Sequence, residues 1–199
     1  KIPIAVLALC LTIFALACSD STTGEYGMRR ISSLGDAALY ITTTPEGDGN
    51  IRAITLSGTF SEMGRQYGEL LKEDLEKYYE DVIEDYLMAE KGISYDELTE
   101  EAELSYSLAI DDMKAMMQGV AEGSGLTLLQ VQIINSSMLR AIEACSAVAA
   151  WGEHTGGGPL VIGRNWDMNT GSLDIIKDYM MVVVYNPPSG NSVADINYI

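Results

Sequence analysis

Two changes of pattern along the chain predict an α+β fold. Apolar residues recur at helical spacing through the middle of the sequence, and short apolar runs punctuated by glycine follow Glu143. With 47% apolar residues, a chain of 199 can bury a core. Residues 51–60 have strand composition and lead into Ser61, a residue type that caps helix N-termini. From there Tyr67, Leu70, Leu71, Leu75, Tyr78, Tyr79, Val82, Ile83, Tyr86 and Leu87 recur at three and four, which predicts one long helix ending near Gly92. A second helix is expected from Asp96 to Gly119, with Leu98, Leu104, Leu108, Met113, Met116 and Met117 on its apolar face. Gly123-Ser124-Gly125 breaks it. A third begins near Thr127, with Leu128, Val131, Ile134, Met138 and Ile142 as its apolar face.

The pattern after Glu143 is that of strands. Residues 145–151 (CSAVAAW) and 159–166 (PLVIGRNW) flank Gly152-Glu153-His154-Thr155-Gly156-Gly157-Gly158, a composition that folds a chain back into a hairpin. A loop centred near Thr155 sets Cys145 opposite Asn165 and close to Arg164 and Asp167. A third strand is expected over 179–185, ending at Asn186-Pro187-Pro188, and a fourth over 192–199, which reads as a sheet interrupted at its edge.

Charge narrows the function classes. The 29 Asp and Glu against 12 Lys and Arg give a net charge of -17, which disfavours attraction to nucleic-acid phosphates or anionic headgroups. Residues 61–112 alone carry 17 Asp and Glu against four Lys and Arg, as the solvated outer face of the helices. The methionines read as core filler.

The N-terminus reads as an address. Residues 2–17 hold no charge, follow Lys1 and end Ala15-Leu16-Ala17-Cys18-Ser19, a run too short for the roughly 20 apolar residues of a spanning helix. This predicts a signal peptide over 1–18 that resembles a bacterial lipobox, with Cys18 lipidated; plain secretion or an uncleaved anchor are the alternatives. The expected location is the periplasm or cell surface of a bacterium, with membrane contact only through the lipid. Residues 19–50, rich in Ser, Thr and Gly, read as a flexible tether with turns. Of the three cysteines, Cys10, Cys18 and Cys145, only Cys145 then remains as a thiol, so a disulfide scaffold is excluded.

Cys145 is the candidate for chemistry. In isolation it would read as an inert buried thiol. The hairpin, however, returns Arg164-Asn165-Trp166-Asp167 beside it, and a neighbouring cation favours the thiolate over a thiol whose free pKa is about 8.5. A histidine base is lacking, because the single His154 lies on the glycine-rich loop. A cysteine made N-terminal needs none: its own α-amine, with a reference pKa of about 7.7–8.0, can take the proton. Asp167 could hold that amine, and Arg164 the thiolate or a substrate carboxylate. Regular alternation places 164 and 167 on opposite faces, so the arrangement requires a bulge or strand end there. One histidine and one thiol do not supply a zinc site, and no cofactor is implied.

Several segments then resemble the autoproteolytic acyltransferases and hydrolases typified by isopenicillin-N acyltransferase, within the N-terminal-nucleophile hydrolases and distantly like choloylglycine hydrolases. The resemblance spans residues 52–199. It rests on Leu56-Ser57-Gly58, Glu62-Met63-Gly64-Arg65-Gln66-Tyr67-Gly68, Gly119-Val120-Ala121-Glu122-Gly123-Ser124-Gly125, Asn135, Cys145-Ser146, Trp151-Gly152 and Gly163-Arg164-Asn165-Trp166-Asp167. It implies that Cys145 is the nucleophile, exposed by self-cleavage at Ala144-Cys145, with Arg164 and Asp167 as catalytic partners and Asn165 and Trp166 as site support. The family more often has Gly before this cysteine and Thr after it, where Ala144 and Ser146 stand here.

The implied organisation is a mainly helical propeptide over 51–144, which stays as a partner chain, and the opening strands of an αββα sandwich over 145–199. The family's oxyanion-hole Asn would lie past Ile199. The expected substrate is a small-molecule amide or thioester. Against this stands a non-catalytic exported lipoprotein or binding module on the same scaffold, with a structural Cys145.

Overall fold

Three strands open the structure as an antiparallel meander: β1 (Gly27–Leu34), β2 (Ala37–Thr44) and β3 (Gly47–Ser57). The computed structural model describes residues 26–137, 142–158, 160–168 and 174–198, so Cys18 and the expected signal peptide lie outside the described residues. The meander corrects the reading of 19–50 as a tether over residues 27–50, residues 19–25 lying outside the described residues. Thr42, Thr43 and Thr44 are polar yet β-branched, and they sit in β2, whose Ala37 and Leu39 reach the core.

Helices follow β3 in an order more broken than the periodicity suggests. The first, α1 (Phe60–Leu70), is capped by Thr59 and not by Ser61: the Thr59 hydroxyl accepts from the Glu62 amide, and the Glu62 carboxylate accepts from the Thr59 amide at 2.8 Å. The expected single long helix is divided at Leu71, which leaves helical geometry, into α1, α2 (Lys72–Tyr78) and a π-helical stretch, Tyr79–Glu90. Residues 79, 83 and 87, with 82 and 86, keep to one buried side at either winding, so the apolar spacing does not distinguish them.

The expected second helix is also two, α3 (Tyr95–Leu108) and α4 (Asp111–Ser124), separated by Ala109 and Ile110 in extended conformation. Asp111 and Asp112 open α4, where acidic side chains suit the positive end of the helix dipole. It ends at Gly125, whose φ of 84° is a left-handed cap that glycine accepts without a Cβ penalty. The next helix, α5 (Leu128–Ser137), starts with Thr127 and Gln130 in reciprocal hydrogen bonds and stops before Ile142, which belongs to a strand.

Strands β4 (Ile142–Ala150) and β5 (Val161–Met168) form a separate antiparallel ribbon. Strands β6 (Met180–Asn186) and β7 (Val193–Tyr198) return to the meander, giving a mixed five-stranded sheet in the order β1-β2-β3-β6-β7. Among the described residues the parallel pairing is that of β3 with β6, which runs from Arg52 opposite Met181 to Ser57 opposite Asn186. The chain is thus a mixed α/β protein, compatible with the expected α+β class. Its core joins the sheet (Leu39, Ile54, Leu56, Met181, Val183) to the helices (Met63, Leu71, Leu75, Tyr78, Ile83, Leu98, Ile133).

Candidate functional site

The β4–β5 ribbon carries every residue expected to do chemistry. Its connection is an ordered turn: a 3-10 segment Gly152–Thr155, then Gly156 and Gly157 with positive φ, closed by the Gly157 amide donating to the Gly152 carbonyl at 2.8 Å. The Thr155 hydroxyl lies 3.1 Å from the carbonyl oxygens of both Gly152 and Gly158 and donates to one at a time. His154 sits exposed in this turn, its amide donating to the Trp151 carbonyl.

The register differs by one from the expected one. Cys145 is paired with Trp166, Ser146 with Asn165, Ala147 with Arg164 and Ala144 with Asp167. The cause is the turn, whose 3-10 residues and following glycines place its centre between Thr155 and Gly156. By strand alternation, position 164 shares a face with 145, and position 167 falls on the other face. The bulge that would bring 164 and 167 to one face does not occur: the register is continuous from 161 to 167, and the ribbon's shift lies in β4, between Ile142 and Ala144, leaving Glu143 as the extra residue. The Ala144-Cys145 bond therefore lies inside a strand, just past a bulge, and not at the junction of a helix and a strand.

The segments ahead of β4 on which the resemblance rests do structural work. Gly64 and Gly68 of α1 lie against Gly119 and Gly123 of α4, and the two backbones approach so closely that no Cβ fits. A Cβ on Gly64 would collide with the Met116 carbonyl oxygen, and one on Gly119 with that of Ser61. Gln66 extends the backbone pairing of β3: its side-chain oxygen accepts from the Ser57 amide at 3.0 Å, and its side-chain nitrogen donates to the Ser57 carbonyl at 2.9 Å. Asn186, which the sequence marks only as the end of a strand, donates from its side chain to the Leu56 carbonyl at 3.1 Å and accepts from the Gly58 amide through its own carbonyl.

Tyrosines form the other polar cluster. The Tyr179 hydroxyl donates to Asp81 at 2.5 Å, Lys77 donates to the same carboxylate at 2.7 Å, and Tyr78 meets the Tyr179 ring edge-on. Lys77 first, then Tyr179, holds the Asp81 carboxyl below its ordinary range, while burial and then Asp81 push the Tyr179 hydroxyl up. Burial likewise raises Tyr67, and it raises Tyr79 to about 12, so these side chains stay neutral at physiological pH.

Compared with protein-family models and with curated proteins, the chain matches none.

Proposed function

We propose that the chain is a cysteine N-terminal-nucleophile amide hydrolase or acyltransferase, activated by self-cleavage between Ala144 and Cys145. The observation that supports it most is the β4–β5 pairing, which runs residues 164–167 antiparallel to 144–147. Arg164 is diagonal to Cys145 on the same face of the ribbon, a separation within reach of a long side chain. In this reading the guanidinium favours the thiolate or receives a substrate carboxylate. Asn165 and Trp166 support the site. Asp167, beside Ala144 on the opposite face, is assigned to the new α-amine, which the cut leaves free to turn at the strand end.

The Cys145 sulfur attacks the Ala144 carbonyl carbon, forming a thioester as the C–N bond breaks, and the departing nitrogen takes the thiol proton to become an α-amine. Water resolves the thioester, leaving an Ala144 carboxylate and a free thiol. In turnover that amine takes the thiol proton, the sulfur attacks an amide carbonyl, and the proton passes to the leaving amine. The acyl thioester then goes to water or to an acceptor amine. The fold proposed is the αββα sandwich. Its support is that β3 and β6 have apolar residues on both faces, Ile54 and Val183 on one and Ala53 and Val182 on the other, as strands covered from two sides do. Export with a lipid on Cys18 completes the proposal.

A scaffold that binds without catalysis is favoured by one observation: the glycines and Gln66 of the resemblance are used in packing, which serves any function of the fold. Mass spectrometry of the full-length protein separates the two. The enzyme gives a second chain beginning at Cys145, and Cys145→Ala remains a single chain. Amide hydrolysis by a chain that stays intact would overturn the N-terminal-nucleophile mechanism.

A further inference from the structure

The corner where α3 hands over to α4 exposes side chains that the sequence places on a core face. Leu104 is 63% exposed and Leu108 78%, one turn apart on the outer side of α3, away from the buried Leu98 and Ala102. Ile110, at 64%, and Met113, at 47%, continue the patch into the first turn of α4. Four large apolar side chains exposed within ten residues are a concentration of the kind that marks an interaction site.

Charge identifies what can cover it. Glu100, Glu103, Asp111 and Asp112 are exposed around the patch. The neighbouring cation, Lys114, is engaged by α3 itself, donating to the Ser107 carbonyl at 3.3 Å and lying over the Tyr106 ring. An anionic bilayer would be repelled. A second copy docked by two-fold symmetry would set carboxylates against carboxylates on chains of charge -17. A cationic partner with its own apolar stripe meets both features.

We propose that the α3–α4 corner docks a basic amphipathic helix of another protein. Its apolar side chains cover Leu104, Leu108, Ile110 and Met113, and its Lys or Arg residues face Glu100, Glu103, Asp111 and Asp112. The proposal stands independently of Cys145.

The test titrates the full-length protein into a fluorescein-labelled 14-residue amphipathic helix of leucine and lysine, read by fluorescence anisotropy. Saturable binding that weakens between about 0.05 M and about 0.3 M salt is expected. The double variant L104S/L108S should weaken it about tenfold or more with Tm unchanged, since neither side chain is buried. E103K/D112K should weaken it comparably while reducing the salt dependence, and a leucine–glutamate helix should not bind. Equal affinity of L104S/L108S and wild type would overturn the proposal, because net charge alone would then account for binding. A Tm lowered by several degrees in that variant would also overturn it, by showing that the chain itself covers the patch, as would a wild-type dimer that the variant dissociates.

Discussion

Asp81 accepts hydrogen bonds from two sides, from Lys77 four residues earlier in α2 and from Tyr179, which lies 98 residues later in the chain. The two bonds produce opposite pH dependences. A carboxyl held below its ordinary value contributes stability in full above that value, and the contribution is lost as pH falls through the ordinary range toward the folded value. A tyrosine hydroxyl held above its ordinary value contributes in full below about pH 10 and loses its share as pH rises beyond that. Tyr179→Phe should therefore cost about 1 kcal/mol at neutral pH and flatten the alkaline limb of a stability profile. Asp81→Asn should flatten the acid limb as pH falls through and below the ordinary carboxyl range of about 4. Urea melts across pH measure both, and an unchanged alkaline limb in Tyr179→Phe would remove the bond from the account. The sequence shows Tyr179 as the start of a strand and Asp81 as one more acidic residue on a helix, with no local sign that they meet.

The α1–α4 crossing is the element whose construction is most specific to its residues. Glycine inside a helix costs about 1 kcal/mol relative to alanine, so replacing Gly64 or Gly119 by Ala would stabilise an isolated helix. In the protein the sign should reverse. The added Cβ meets a backbone carbonyl oxygen of the other helix, a group that cannot swing aside, and separating two packed helices is an overpacking defect of about 1–3 kcal/mol or more. Gly64→Ala and Gly119→Ala should each lower the urea midpoint, whereas Gly92→Ala, with open space around it, should show only the strain of its positive φ. A stabilised Gly64→Ala would show that the helices are not in close contact. Other elements differ in how far their residues announce them. Thr59 with Glu62, Ser94 with Glu97 and Thr127 with Gln130 follow the capping-box spacing, so helix starts are legible once that spacing is read. The hairpin is legible from its glycine-rich turn, and its register fails by one because the turn's 3-10 geometry is not encoded by composition. The break at Ala109 and Ile110 has neither Gly nor Pro to mark it. Strand β1 is polar and largely exposed, and its reading as tether reflects a stability that comes from pairing with β2 and not from its own apolar pattern.

At the scale of the molecule, the expected boundary between Ala144 and Cys145 does not divide the fold. Strand β3 lies before it and β6 after it, yet the two are adjacent in one sheet, paired over six residues. Asn186 bonds the Leu56 carbonyl, Tyr179 bonds Asp81, and Ile176, Tyr179, Met181 and Val183 share a core with Leu56, Met63, Tyr78 and Ile83. A segment with this many contacts is an integral half of the domain and not a cover to be shed. This sets what cleavage would do. Hydrolysis of one bond in the β4–β5 ribbon severs the chain without breaking the β3–β6 pairing or the common core, so the two pieces should co-elute as one particle under native conditions and separate only in denaturant. The cut does turn a connected fold into a two-chain one, so refolding after denaturation should become concentration-dependent in the cleaved protein and remain independent of concentration in Cys145→Ala. Size-exclusion chromatography in buffer and in about 6 M guanidinium, followed by refolding at several dilutions, measures each point. Release of the piece that ends at Ala144 from the cleaved protein in native buffer would show that the β3–β6 seam does not hold the fold together.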